Sequence, residues 1–446
     1  MKITVPVAAA LACVLLVPVV GFADTAQVLP RGVYNIDATY YHYNDIDERY
    51  DPDGEPEDIA VNYNTNLNSS VFGDLGTLEA AFAATPFAFP ASGATLGNSE
   101  VDFNFVYRWW EFAFSYGITD NLSIGVLIPY NYSKNEVKAK VNNENANVIK
   151  NPCFNSASAE CAAFAGATSI PNTTALLPRS IESTLGVFGI TGDFRLTTED
   201  VQGLLGSGLD LDSNGTVDIT GFGYKRVETW SDSGVGDIEV LAKYKFYDKD
   251  DWRFAATGGV RLPTGEVADP DSLVALPMGD GQTDIIVRLF ADYNGIKNLF
   301  LNTTLRYDIQ LPDSEEKRVP QDINLPLTDR KETVDRDLGD IFEAEVFGDY
   351  SITKEISVGA KYVYTAKMRD KVDGSGNAMY SSLEEETDLT SHMYIITLGY
   401  STIQKYLDKK FPVPFTASLA YRNRFAGTNN TTKSEYVSAN ISVFFN

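Results

Sequence analysis

The fold is decided by a stretch that reads SGVGDIEVLAKYKFY (233–247), DKDD (248–251) and WRFAATGGVRL (252–262). Within 238–246 every second residue is apolar, and most residues between them are charged. The second arm alternates in the same way. A period of two places each set on one face of a strand, and two such strands joined by a short polar turn predict an antiparallel hairpin. A charged face suits both a soluble β-sandwich and the lumen of a membrane barrel, so the hairpin alone leaves both open.

The connections between strands separate these two architectures. Alternating segments recur to a total of about twelve strands, and the short turns 118–121, 248–251 and 351–355 contrast with long connections such as 263–283 and 368–390. A sandwich has no reason to collect long loops at alternate connections, whereas an outer-membrane barrel has short periplasmic turns and long outer loops. We therefore predict an all-β fold, a transmembrane antiparallel β-barrel of about 12 strands with long extracellular loops.

The outward faces of the predicted strands suit lipid. The alternate positions of 299–309 and of 356–364 carry no charge, and the last strand, 435–445, alternates apolar residues up to Phe445. These patterns are typical of barrels of the outer membrane. They predict a protein of the outer membrane of a Gram-negative (diderm) bacterium, in contact with outer-membrane lipid and lipopolysaccharide.

The N-terminal residues have the pattern of a secretory signal. Lys2 precedes an apolar run over 5–20, and Gly21 and Ala23 are the small residues that a signal peptidase reads. We predict a signal peptide at 1–23 and a single barrel domain at 24–446, with an extracellular loop insert at 134–232. The net charge of −25 argues against nucleic acid as a partner, because phosphate binding requires lysine and arginine.

Two features precede the third predicted strand. The acidic connection 44–100 contains an Ala- and Phe-rich segment, 75–90, that predicts a short helix lying in or over a pore. Farther along, aromatic residues crowd 109–116, and the apolar phase switches between Trp109 and Trp110. Such a switch predicts a β-bulge.

The insert 134–232 carries two candidate stabilising features. Cys153 and Cys161 lie eight residues apart in an exported polar stretch, and this predicts a local disulfide rather than a metal site. The motif DLDSNGTVD, 210–218, has oxygen-bearing residues at the ligand positions of a calcium loop and glycine at the sharp turn. The predicted metal ligands are Asp210, Asp212, Asn214, Thr216 through its carbonyl, and Asp218. Gly221 replaces the bidentate glutamate of an EF-hand, so calcium would be a weakly bound cofactor, and an ordinary acidic turn is the alternative.

Charged residues of both signs occupy the inward positions of the predicted strands. Opposed charges in a lumen either form a ladder that fixes strand register or a constriction that orients a permeant. The predicted pore-lining residues are Asp237, Glu239, Lys243, Arg253, Arg261, Asp284, Arg288, Arg306, Asp308, Glu343, Glu345, Arg422 and Arg424.

Several motifs resemble one known outer-membrane family. They are SGVGD (233–237), AKY (242–244), RLPTG (261–265), GDGQTD (279–284), YGITDNL (116–122) and IPY (128–130). Together they are similar to the family named for the MetA pathway of phenol degradation, over roughly 100–310 and more weakly to the C-terminus. The resemblance implies a barrel that passes small, often aromatic or hydrophobic, molecules, and it implies no catalytic residues.

We therefore expect passive passage of small, hydrophobic or aromatic molecules through an outer-membrane channel. The alternative is a surface-exposed binding or adhesion protein, whose barrel anchors a calcium-braced loop. An enzyme is not expected, because the two histidines, His42 and His392, fall on outward faces and have no inward nucleophile beside them. The sequence names neither the solute nor the oligomeric state.

Overall fold

The computed structural model describes residues 25–322, 325, 327–376 and 378–445, so the signal peptide predicted at 1–23 lies outside the described residues. Twelve antiparallel strands form one closed sheet. These strands are β1 (Tyr34–Tyr43), β2 (Thr95–Thr119), β3 (Leu122–Asn142), β4 (Ile238–Lys249), β5 (Trp252–Leu262), β6 (Asp284–Ile296), β7 (Leu299–Gln310), β8 (Ile341–Ser351), β9 (Ile356–Lys367), β10 (Leu389–Ser401), β11 (Phe415–Gly427) and β12 (Ser434–Phe445).

Each strand pairs with its neighbours in sequence, and the ring closes between the two ends of the chain. Tyr34 pairs with Phe445 and Tyr43 with Tyr436, so β1 and β12 are in register over their whole lengths. Closure leaves no unpaired edge, which a bilayer requires because it offers no water to satisfy backbone groups. The predicted twelve-stranded antiparallel barrel is confirmed.

Most short connections lie at one end of the barrel, which we call the short-turn end, and most long ones lie at the other, the loop end. The exceptions are 402–414 at the short-turn end and 428–433 at the loop end. At the loop end β2 and β3 continue as a paired ribbon, with Asn98 opposite Asn142. The short strand Trp230–Val235 pairs with Tyr130–Asn135 of β3. The predicted insert boundaries, 134 and 232, therefore fall inside strands, and the part of the insert outside these strands spans 143–229.

The insert and the first long connection fold together into a cap, which we define as residues 44–94 and 143–229. Its α-helices are α1 (Asp74–Phe82), α2 (Ala159–Thr168), α3 (Glu182–Val187) and α4 (Thr198–Leu205). A fifth helix, α5 (Ile403–Leu407), lies at the short-turn end. No helix of the described chain is long and apolar enough to cross a membrane.

The remaining short elements belong to the loops. Among the described residues, 3₁₀ turns span Val61–Tyr63, Arg179–Ile181 and Tyr380–Leu383. The short strands outside the barrel are Glu48–Tyr50, Pro56–Asp58, Asn66–Asn68, Val148–Lys150, Leu176–Pro178, Asp313–Arg318, Lys331–Asp337 and Lys371–Asp373. The last three of these form a separate sheet above the barrel.

The cap has its own hydrophobic core. One cluster joins Leu75 of α1 to Leu196 and Val201, and a second joins Phe82 to Ile149 and Cys153. The helix predicted within 75–90 thus exists as α1, but it packs into the cap core. No residue of 75–90 lines the lumen cavity described below.

The bulge predicted at Trp109 and Trp110 is wrong, because β1 and β2 stay in continuous register through both residues. The phase switch arises because both faces of β2 carry aromatic side chains. Trp109 points inward and stacks on Tyr41, with ring centroids 4.4 Å apart. Trp110 is exposed on the outside and lies 4.9 Å from the Tyr40 ring.

Candidate permeation site

A cavity of about 520 Å³ occupies the barrel lumen and is lined by residues of all twelve strands. Its volume lies within the roughly 300–1,000 Å³ of sites that hold small molecules. The side chains around it form two contrasting walls. The arc from β4 to β9 carries most of the charged lining residues. The arc that runs from β10 through the closure to β2 carries Tyr41 and Trp109, together with Asp37, Glu111 and Arg422.

Glu239 is the centre of the ionic wall, which we define as Glu239, Arg261, Asp284, Arg288, Arg306 and Asp308. Its carboxylate accepts from Arg261 at 3.0 Å, from Arg288 at 3.0 Å and from Arg306 at 3.2 Å. Arg261 also pairs with Asp284 at 2.6 Å, and Arg306 with Asp308 at 2.6 Å. Three carboxylates and three guanidinium groups therefore balance one another across β4 to β7.

A second set of charges continues the ionic wall toward β9. The Lys361 ammonium pairs with Glu345 at 2.7 Å, and Glu343 accepts from the Thr365 hydroxyl at 3.2 Å. Pairs between neighbouring strands of this kind resist a slip in register, because a one-residue shift would turn each charge toward lipid.

The aromatic wall consists of Tyr41, Tyr43, Trp109, Tyr436 and Met393. The Tyr43 and Tyr436 rings stack at 3.8 Å, and Trp109 lies 5.1 Å from Tyr43. Tyr436 donates its hydroxyl to the Met393 sulfur at 3.3 Å. Of these residues, Tyr41, Trp109 and Met393 line the cavity, and Tyr43 and Tyr436 pack behind them.

The residues just before β1 occupy the short-turn end of the lumen. The Ala26 amide donates to the Asp292 carboxylate at 3.0 and 3.1 Å, and the Leu29 amide donates to the Ser123 hydroxyl at 2.8 Å. Lys243 donates to the Thr25 carbonyl at 2.8 Å. We call residues 25–33 the N-terminal segment, and it narrows the lumen from this end.

The N-terminal segment fits against the wall because residue 117 is glycine. A Cβ at Gly117 would collide with the carbonyl oxygens of Leu29 and Pro30. The Gly117 amide donates to the Val33 carbonyl at 3.0 Å, and Gly32 donates back to Gly117 at 2.8 Å. These bonds fix the segment on β2 before it enters the lumen.

Seven predicted lumen residues line the cavity: Glu239, Lys243, Arg288, Arg306, Glu343, Glu345 and Arg422. Arg261, Asp284 and Asp308 belong to the ionic wall without lining the cavity. The other three lie elsewhere, because each is at the end of a strand. Asp237 accepts from the Gly265 and Asp280 amides, Arg253 faces Asp248 and Asp292, and Arg424 donates to Thr432.

The charge pattern did not reveal two parts of the site. The N-terminal segment contributes Gln27, Val28 and Leu29 to the cavity, and no periodicity marks it. Tyr41 and Trp109 also line it. The alternation along β1 does place Tyr41 on the same face as Asp37, and this signal could have identified the aromatic wall.

A known family matches the chain over residues 167–389, which is half of its length, and its description reads "Putative MetA-pathway of phenol degradation". The chain belongs to this family. The match includes β4 to β9, which carry the ionic wall, and most of the cap insert. No curated protein matches the chain significantly.

Several solved structures are similar to this member of the phenol-degradation family. An outer membrane channel from Pseudomonas putida F1 is 12% identical, with a TM-score of 0.48, over 94% of this chain and 98% of that one. A toluene transporter from Ralstonia pickettii is 8% identical, with a TM-score of 0.32, over 93% and 89%. A FadL homologue from Pseudomonas aeruginosa is 9% identical, with a TM-score of 0.32, over 94% and 90%.

The outside of the barrel is the apolar surface that the alternation predicts. Leu301, Leu305, Val358 and Leu398 are among its exposed residues. Exposed aromatic side chains lie near the strand ends, for example Tyr34 and Phe445 at the short-turn end. An apolar band with aromatic borders is the lipid-facing surface of a bacterial outer-membrane barrel. The protein is an outer-membrane barrel of a diderm bacterium.

The acidic motif of the insert folds into a compact loop. One oxygen from each of Asp210, Asp212 and Asp218 lies within 4.8 Å of the others. Asn214 donates to Asp212 at 2.9 Å, and the backbone amides of the loop donate to the Asp210 carboxylate. A group of carboxylates with an amide oxygen fits the oxygen ligands that calcium prefers. Calcium binding at this loop stays a prediction.

In the cap, Cys153 and Cys161 form a disulfide. Cys161 lies in the first turn of α2, where its amide donates to the N-cap residue Ser158 at 3.2 Å. Asn155 extends from this loop and donates to Asp212 at 3.1 Å, so the disulfide loop and the acidic loop are in contact.

Both histidines lie on the outward face and are bonded to tyrosine. Tyr40 and His42 approach within 3.4 Å, and Tyr362 and His392 within 2.7 Å. These pairs lie among aromatic rings of the outer surface, remote from the charged lumen residues.

Proposed function

We propose that this protein is a passive outer-membrane channel for small molecules of hydrophobic or aromatic character. The observation that carries the proposal is the lumen cavity of about 520 Å³, with aromatic side chains along one wall. Twelve strands lie between the eight of filled barrels and the sixteen of wide porins, so a narrow pathway is expected. The family description, which concerns phenol degradation, supports aromatic solutes.

A concentration gradient would drive the flow. The sequence has no glycine-rich loop with Lys and Ser or Thr for holding nucleotide phosphates. In the proposed orientation the loop end and the cap face outside, and the short-turn end faces the periplasm, as in other outer-membrane barrels. A solute would enter below the cap, pass the two walls and leave past the N-terminal segment.

Uptake into proteoliposomes tests the channel. Small phenolics should enter faster than sugars of similar size, because stacking on the aromatic wall favours flat apolar rings. The double substitution Asp292→Asn and Ser123→Ala should increase flux, because it weakens the bonds that hold the N-terminal segment. Asp349→Asn is the matched control, since it removes another inward carboxylate near the short-turn end.

Two outcomes would contradict this function. One is the absence of permeation of any solute through wild type and through the released variant. The other is equal flux of phenolics and sugars, which would leave the aromatic wall without a role in selection. If release of the N-terminal segment does not change the flux, this segment does not obstruct the pathway, and the channel function itself is not contradicted.

Surface binding is a second candidate, and the independent core of the cap favours it. The clusters around Leu196 and Ile149 and the disulfide fold the cap without contributions from the lumen. If the barrel is only an anchor, reconstituted protein should conduct nothing, and binding to a surface ligand should disappear when 143–229 is deleted. Protease added to intact cells should cut within the cap and spare the short turns in either case.

A further inference from the structure

Arg422 differs from three other cations that line the lumen cavity. It lies on β11, points inward and lines the cavity. Arg288 and Arg306 pair with Glu239, and Lys361 pairs with Glu345. Within the described part of the chain no carboxylate forms an ion pair with Arg422, and its Nε donates to the Ser438 hydroxyl at 3.3 Å.

Aromatic rings surround the Arg422 guanidinium. Its Cζ lies 5.1 Å from the centroid of the Tyr41 ring and 5.7 Å from that of Tyr436. Tyr41 in turn stacks on Trp109. Contact with ring faces stabilises the cation, but a ring face does not take the place of a hydrogen-bond acceptor for the N–H groups.

A carboxylate is the partner that Arg422 lacks among the described residues, and a ligand with an acidic group would supply it. A guanidinium presents two parallel N–H donors that match the two oxygens of a carboxylate. The flat rings beside it match an aromatic body on the same molecule. A carboxylic acid is ionised at pH 7, whereas a phenol with an ordinary pKa near 10 remains neutral, so the charge selects carboxylates over simple phenols.

We propose that the lumen recognises small aromatic carboxylates, with the carboxylate on Arg422 and the ring against Tyr41 and Trp109. This inference rests on the proposed channel function and names its substrate class. The acidic outer loops repel polyanions, but repulsion of a monoanion is weak beyond the Debye length of about 8 Å in physiological salt.

Binding to the purified protein in detergent tests the subsite directly. Benzoate is the probe, and benzyl alcohol is its neutral counterpart. Arg422→Gln should weaken benzoate binding at least tenfold and change benzyl alcohol binding less than twofold. Arg422→Lys, which keeps the charge but loses the fork of donors, should fall between the two. Arg424→Gln is the matched control, because Arg424 lies on the same strand outside the cavity and donates to Thr432.

Several results would overturn the subsite. If Arg422→Gln leaves benzoate binding unchanged, or weakens benzoate and benzyl alcohol equally, Arg422 does not read the carboxylate. Heat-modifiable migration on gels verifies that each variant retains the barrel. If Arg422→Gln does not fold into a barrel, Arg422→Lys is the variant that tests the subsite. Unchanged benzoate binding by Arg422→Lys contradicts the bidentate contact.

Permeation separates the subsite from the channel function. Wild-type proteoliposomes should take up both probes, and Arg422→Gln should reduce the selectivity for benzoate over benzyl alcohol. If benzyl alcohol passes and Arg422→Gln does not change benzoate uptake, the channel function stands and the subsite is refuted. Arg422-dependent binding of benzoate without passage of either probe supports the subsite and refutes the channel.

Discussion

The barrel and the cap are made from one chain with opposite arrangements of apolar side chains. The barrel places leucine, valine and aromatic residues outside and gathers ions around Glu239 inside. The cap buries Leu177, Ile181 and Leu185 in a core of ordinary type and leaves its acidic loop exposed. The comparison shows that apolar side chains face outward where the surroundings are lipid and inward where the surroundings are water. Each region should therefore be destabilised by a different substitution or condition.

The largest expected effect is in the barrel. Glu239→Ala removes the carboxylate shared by Arg261, Arg288 and Arg306. It leaves the three cations with only Asp284 and Asp308 as acidic partners in the ionic wall. Loss of one partner from a largely buried ion pair costs about 3–5 kcal/mol. We expect a fall of about this size in the free energy of unfolding, measured in guanidinium chloride, while the protease pattern of the cap stays the same.

Asp102→Ala is the control for the Glu239 substitution. Asp102 pairs with Lys138 in an exposed part of the ribbon, and such pairs contribute about 0–1 kcal/mol. Equal destabilisation by both substitutions would show that the ionic wall has no special weight in the barrel.

The next effect concerns the cap alone. Reduction of the Cys153–Cys161 disulfide, or its replacement by two alanines, should destabilise the cap by about 2–3 kcal/mol, because the bond closes a short loop. Limited proteolysis within 143–229 should accelerate, and the unfolding midpoint of the barrel should not move. A shift in that midpoint would show that the two regions unfold as one unit.

Calcium should have a smaller effect on the same region. A site with dissociation constant near 1 mM, as in weak extracellular modules, would gain about 1.4 kcal/mol at 10 mM calcium. Calcium should therefore slow proteolysis of the cap, and the double substitution Asp210→Ala and Asp212→Ala should abolish the protection. Glu160→Ala is the control, because Glu160 lies outside the loop. If calcium slows proteolysis equally in wild type, the double variant and Glu160→Ala, or in none of them, the motif is an ordinary acidic turn.

The smallest effect is a change with pH in the sheet above the barrel. Glu332 accepts hydrogen bonds from the Tyr380 hydroxyl at 2.8 Å and from the Ser375 amide at 2.8 Å. These bonds, above all the one from Tyr380, lower the pKa of Glu332 to about 2. A carboxyl whose pKa is lowered by folding stabilises the fold at pH values above its pKa in the unfolded chain, near 4.3. This stabilisation disappears as the pH falls through about 2. NMR titration of the carboxyl carbon, assigned with Glu332→Gln, should give a midpoint near 2. A midpoint near 4.3 would contradict these bonds.

The barrel could be predicted because its rules are local. A period of two and the lengths of the connections depend only on neighbouring residues, and they identified twelve strands and the inward ions of β4 to β8. Which of those charged residues pair with each other depends on how neighbouring strands are shifted along one another. Glu239 therefore emerged as the shared acceptor of three arginines only in the structure.

The cap and the N-terminal segment could not be derived in this way. The ribbon of β2 and β3 extends far past the barrel, so the insert begins at 143 where the sequence predicted 134. Helix α1 packs on residues more than a hundred positions away, such as Leu196 and Val201. The N-terminal segment has neither alternation nor helical spacing. Its position depends on bonds to residues far along the chain, among them Gly117, Ser123 and Asp292.

The N-terminal segment also constrains the order of folding. Ala26 bonds to Asp292, and these residues are 266 positions apart in the chain. Contacts of such separation form late, because closing a long loop costs entropy before any contact rewards it. The N-terminal segment therefore reaches its final position only after β6 has paired into the sheet. A barrel in which β6 is not yet paired would leave this segment without its bond to Asp292.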